Sequence, residues 1–154
     1  MAFWDEEDDD FDDEEFERER KEEEENFNSL PIVKKAKDLF TTITAFMETL
    51  EDSEDDVDLK PHLFEDVAVI NAKIRGAEAG DLYRIRMENA VIIKVHAVSI
   101  RNIMHTYEML GVGNTEYLEL IRNEIEAFRL VFVEWVNSFD RFNDLDEDEW
   151  GLFN

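Results

Sequence analysis

One uninterrupted stretch, Asp81 to Leu110, limits the architectures open to this chain. It contains no Pro, and no Gly occurs until Gly111. Leu82, Ile85, Ile92, Ile93, Ile100, Ile103, Met104, Tyr107 and Leu110 recur at steps of three and four, which lays them along one face of an α-helix. Such a helix is about 45 Å long at 1.5 Å per residue. It cannot cover its own apolar stripe, so it requires other long amphipathic helices beside it.

The rest of the chain supplies them. Ser29 and Pro31 read as a helix start, followed by Val33, Ala36, Leu39, Phe40, Ile43, Phe46, Met47 and Leu50 on one face. Pro61 opens another helix, with Asp58 as its expected cap and Leu63, Val67, Ile70 and Ile74 as its core positions. Gly80 is expected to stop it in a left-handed conformation, and Asp81 to cap the long helix. Gly111 and Gly113 close that helix. Asn114 or Thr115 caps a final one carrying Leu118, Ile121, Ile125, Phe128, Val131, Phe132, Trp135 and Phe139. Four such helices with short connections predict an all-α fold, an up-down-up-down four-helix bundle over residues 28–139. Acidic, largely disordered tails at 1–27 and 140–154 flank it.

Charge separates the tails from the bundle. The chain has 154 residues and a net charge of −25. Residues 1–27 hold 16 acids and 3 bases, and residues 140–154 hold 6 acids and 1 base. The segment between them has a far milder balance and is long enough for a core of its own. So strong an acidic excess opposes nucleic acid and anionic membrane partners. There are no cysteines, which excludes disulfides and thiolate metal sites. No apolar run reaches the length of a membrane span, and MAFWDEEDDD lacks the basic and apolar regions of a signal peptide. A cytoplasmic protein is expected.

The first tail interleaves acid with Phe3, Trp4, Phe11, Phe16 and Phe27. It has too little apolar surface to offset the entropy of ordering. Residues 1–12 are expected to be disordered, and 13–26 to form at most a solitary charged helix, with Glu17 and Lys21 at i and i+4. The second tail ends DEDEWGLFN, placing charge beside Trp150, Leu152 and Phe153. Acid mixed with aromatics suits a basic, partly apolar protein surface. Trp4, Phe11, Trp150, Leu152 and Phe153 are therefore the candidate partner-binding residues. The alternative for the last three is that they cap their own bundle.

Within the long helix, Arg84 and Glu88 form an i, i+4 pair, while Arg86, Asn89 and His96 fall nearer the apolar stripe. Polar groups on a buried seam need partners, and Glu78, Lys73 or Arg75 on the preceding helix are within reach. Together Arg84, Arg86, Glu88, Asn89 and His96 are either a network fixing helix register or a site for a small polar ligand. A turn near residue 79 would set His62 level with His96. It would also gather Lys34, Lys35, Lys37, Lys73, Arg75, Arg84, Arg86 and Lys94 at the end from which both tails depart.

Other chemistry finds little support. EDSEDDVD, residues 51–58, lacks the Gly and the terminal Glu of a calcium-binding loop. His62 with Glu65, and His105 with Glu108, reverse the Glu-x-x-His order of di-iron bundles. Arg101 and His105 are too close in sequence for the Arg–His motif of HEPN ribonucleases, and no His has the surroundings of a phosphotransfer domain. No catalytic residue, metal or cofactor is expected.

Between Lys73 and Lys94, GAEAGDLY and RMENAVIIK resemble a block of an uncharacterised bacterial family of small helical-bundle proteins. That resemblance implies a helical bundle and brings no activity. The expected function is therefore a non-enzymatic interaction protein whose acidic–aromatic tails engage a basic partner. The alternative is a ligand-binding or enzymatic bundle using Arg86, Glu88, Asn89 and His96.

Overall fold

A computed structural model of the chain describes residues 9–152, with side chains from Asp13 onward. The chain divides into two units after Leu30. The first contains helix α1 (Asp9–Ser29). The second contains α2 (Pro31–Thr49), α3 (Lys60–Glu78), α4 (Tyr83–Leu110) and α5 (Thr115–Asn137). Among the described residues there is no strand.

Helix α1 begins at Asp9, earlier than the expected residue 13; residues 1–8, for which disorder was expected, lie outside the described residues. It holds 12 acids and 3 bases, and every residue from 13 to 26 is exposed. Good helix formers explain its regularity. An apolar face does not, because Phe16 is exposed as well. Ser29 ends this helix. Its hydroxyl donates back to the Asn26 carbonyl at 2.6 Å, so it does not cap α2 as its neighbour Pro31 suggested.

In the second unit, α2 packs on α3 and α5, and α4 packs on α3 and α5. The apolar periods account for the core. Ile32, Val33, Ala36, Leu39, Ile43 and Phe46 of α2 are buried together with Leu63, Val67, Ile70, Ile74 and Ala77 of α3. Helix α4 contributes Ala90, Ile93, Ile100, Ile103, Met104 and Tyr107, and α5 contributes Leu118, Ile121, Ile125, Phe128 and Trp135. Two residues of the expected stripe, Ile85 and Leu110, are instead exposed near the helix ends.

Helix α4 has 28 residues and α3 has 19, a difference of about 13 Å at 1.5 Å per residue. The α2–α3 connection covers the overhang. Within it Asp55 is buried, and accepts hydrogen bonds from the Leu59 N–H at 3.1 Å, the Lys60 N–H at 2.9 Å and the Tyr107 hydroxyl at 3.0 Å. Asp55 therefore caps α3 and ties it to the far end of α4, a role expected of Asp58. Asp58 instead adopts a left-handed conformation, with φ of 53°.

The opposite end of α4 also differs from expectation. Gly80 is not left-handed, and α3 ends on an ordinary right-handed Ala79. Asp81 does not cap α4; residue Leu82 stands at the cap position and offers no side-chain acceptor. The chain beyond α5 supplies what is missing. The Asn143 carbonyl accepts from the Tyr83 N–H at 2.8 Å, and Asp144 Oδ1 from the Arg84 N–H at 3.1 Å. Orphan donors of a helix start are thus satisfied from 60 residues away. At the other two sites sequence and structure agree: Gly111 ends α4 at φ 65°, and Asn114 Oδ1 caps α5 by accepting from the Glu116 N–H at 2.8 Å.

Candidate functional site

The polar residues of α4 do not converge on one point. They separate into two groups along the seam with α3. In the first, Asp66 of α3 is 5% exposed and meets two α4 side chains. His96 Nδ1 lies 2.7 Å from Oδ1, and the Ser99 hydroxyl donates to Oδ2 at 2.6 Å. An ionised carboxylate only accepts, which places the histidine proton on Nδ1. Asp66, not His62, is therefore level with His96. The level is shifted by four residues, about one helical turn, because residues 79–82 form a non-helical connection.

In the second group, Glu78 ends α3 and takes two donors on one oxygen. Arg86 Nη2 is 2.5 Å and Trp135 Nε1 is 2.7 Å from Oε1. The Arg86 guanidinium carbon sits 4.0 Å from the centre of the Phe139 ring, which meets Trp135 edge-on at 4.8 Å. One Arg86 nitrogen, Nε, is buried without a hydrogen bond; the aromatic face supplies electrostatic attraction in its place. Asn89 donates to the Ile85 carbonyl at 2.9 Å and lies against Gly76, where an added Cβ would stand 3.1 Å from its Oδ1. A larger residue at Gly76 would require the Asn89 amide to give by a few tenths of an ångström. Glu88 is exposed and apart from both groups.

Arg84 belongs to a third arrangement. Its Nε is 3.4 Å from Asp144 Oδ2, and Nη2 donates to the Leu145 carbonyl at 3.2 Å. The GAEAGDLY segment thus forms the end of α3, the connection and the start of α4, and the C-terminal segment is seated on it. Residues 143–145 make this contact. Trp150 is 84% and Leu152 71% exposed. Trp4 and Phe153 lie outside the described residues, as does the side chain of Phe11.

A feature that the periodicity hid lies on the other flank of α4. Lys94 and Arg101 are seven residues apart on α4, and Arg122 and Arg129 seven apart on α5. All four line one cleft between the two helices. Two helical turns separate the members of each pair, so each pair shares a face. That regular spacing of cations, in a strongly acidic chain, was the available signal. Arg129 pairs with Glu126 through Nε at 2.9 Å and Nη2 at 2.5 Å, and Arg122 Nη2 pairs with Glu108. The Arg129 hydrogen bond holds the Glu126 carboxyl below its usual pKa against desolvation, and the charges of Arg129 and Arg101 add to the lowering.

Among the described residues no three His, Cys, Asp or Glu side chains are placed to hold a metal ion. None of the described helices is long and apolar enough to cross a membrane. No family model and no curated protein sequence matches this chain.

Proposed function

We propose that this chain is a non-enzymatic interaction protein: an up-down-up-down four-helix bundle that presents acidic segments to a basic protein partner. The carrying observation is α1. Its exposed stretch from residue 13 to 26 holds nine acids and three bases. A helix charged on all sides gains nothing from burying a face, and its neighbouring carboxylates repel one another. A lysine- or arginine-rich surface would remove that repulsion and release bound counterions. Phe16, Trp150 and Leu152 add exposed apolar contacts of the kind that anchor such partners. In the sequence, Trp4, Phe11 and Phe153 likewise stand among or beside the acids. The competing use of Arg86, Glu88, Asn89 and His96 as a ligand site has less behind it, since Glu78, Asp66, Phe139 and a backbone carbonyl already engage three of the four.

Binding of a fluorescent lysine-rich peptide tests the reading. Replacing Glu22, Glu23, Glu24 and Glu25 by Gln should weaken capture about tenfold, or about 1.4 kcal/mol. The control replaces the exposed Glu65, Glu88, Glu119 and Glu134 by Gln, which removes the same charge from the bundle. Equal losses in the two variants would reduce the effect to bulk charge and defeat the proposal.

A further inference from the structure

A cleft lies between α4 and α5, and none of the described residues of the acidic segments lines it. Its volume is about 460 Å³, within the range of small-molecule sites. Its floor is apolar: Ala97 and Val98 from α4 face Ile125, Phe128 and Phe132 from α5. The Phe128 and Phe132 rings stack on each other at 6.2 Å in this lining. The lining runs from Lys94 to His105 along α4, about 16 Å at 1.5 Å per residue.

The rim has the opposite charge from the rest of the molecule. Lys94, Arg101, Arg122 and Arg129 line the cleft, with Glu126 the single acid, so four bases against one acid give +3 with histidine neutral. The whole chain is −25. Glu126 and Glu108 already neutralise part of the rim through Arg129 and Arg122. Arg122 Nε is shielded from solvent, and Nη2 is paired with Glu108, but the Arg122 side chain is still about one-third exposed. A planar guanidinium with donors to spare suits a carboxylate.

We propose that this cleft binds a small amphipathic carboxylate, its aliphatic or aryl tail on the Val98–Phe132 floor and its head group at Arg101 and Arg122. The tail removes apolar surface from water, while the head answers the local cationic excess. The inference is independent of the partner-binding reading, and either stands if the other fails.

Decanoate is the probe, held below its micelle concentration and titrated into the full chain with amide chemical shifts as the readout. Decyltrimethylammonium is the matched control, with the same tail and opposite head. The overall charge of the protein favours the cation, so a preference for the anion reports on the cleft alone. Decanoate should shift the amides of Ala97, Val98 and Phe132 and bind at least tenfold more tightly than the ammonium. Arg101→Gln, at an exposed position, should weaken decanoate about tenfold with the fold intact, and Ala97→Trp should fill the floor and abolish binding. Equal affinity for the two heads, shifts outside the cleft, or no effect of Arg101→Gln would overturn the proposal. So would shifts of the cleft amides that follow protein concentration without decanoate, which would mean a second copy occupies the cleft. Vesicles of anionic phospholipid form the last arm: a response to vesicles without one to free decanoate would assign the cleft to a membrane surface, and the soluble ligand would be wrong.

Discussion

The two flanks of α4 balance charge differently. Toward α3, each carboxylate is matched to donors on the facing elements: Asp66 to His96 and Ser99, Glu78 to Arg86 and Trp135. The polar groups are consumed, and the helices close on each other. Toward α5, Lys94 and Arg101 look across at Arg122 and Arg129, with Glu126 as the one acid of the lining. Here cations outnumber acids: Glu108 of α4 engages Arg122 and Glu126 engages Arg129, and a cleft remains. The comparison teaches that net charge is a poor guide to local charge. A chain can carry a large acidic excess and still gather cations along a cleft between two packed helices.

Removing the acid from the closed flank should have the largest effect. Asp66→Ala leaves the half-buried His96 and Ser99 without their acceptor, and should cost about 2 kcal/mol in urea unfolding. A loss below about 1 kcal/mol would mean that the α3 flank is not held by its matched pairs.

The far end of α4 is the next test, through pH. Burial works to raise the Asp55 pKa, but the N–H groups of Lys60 and Leu59 and the Tyr107 hydroxyl outweigh it and hold the carboxyl below its usual range. Its contribution is thus complete above the unfolded value, about 3.9, and is lost as pH falls through the lower folded value. Burial pushes the Tyr107 pKa up, and the Asp55 carboxylate pushes it further. That contribution is complete below about pH 10 and is lost as pH rises beyond it. Asp55→Asn should flatten the acid limb of the stability profile and lower the plateau by about 1–2 kcal/mol.

The near end of α4 should respond less. Asp144→Ala removes a cap on the Arg84 N–H and the acidic partner of its guanidinium. A loss of about 1 kcal/mol is expected, with faster amide exchange at Tyr83 and Arg84. Smallest of all should be Arg101→Gln on the open flank. It changes stability by no more than about 0.5 kcal/mol, since this exposed cation makes only a solvent-screened attraction to Glu126 across the cleft. A marked stabilisation would mean that repulsion across the cleft is large, and would sharpen the contrast between the flanks.

Much of this was legible before any coordinates. Apolar steps of three and four located the helices of the second unit, and Gly111 and Asn114 marked two of their ends. The misplaced caps share one cause. Asp58 and Asp81 are the nearest acids to the helices they were assigned, and proximity along the chain is all that a cap rule measures. Asp55 and Asp144 perform those roles because the overhang of α4 and the returning C-terminal segment bring them there. The polar cluster failed similarly. Arg86 and His96 sit ten positions apart on α4, about 15 Å along it, and different carboxylates of α3 engage them.

Sequence alone determined that the chain is helical, where its apolar faces run and how its acid is distributed, because each of these follows from periodicity or composition over neighbouring residues. Tertiary structure decided which carboxylate meets which donor, where the C-terminal segment is seated, and that α4 and α5 leave a cationic cleft between them. Those outcomes depend on the relative level of antiparallel helices. A connection of a few residues shifts that level by a full turn, and no local pattern records the shift.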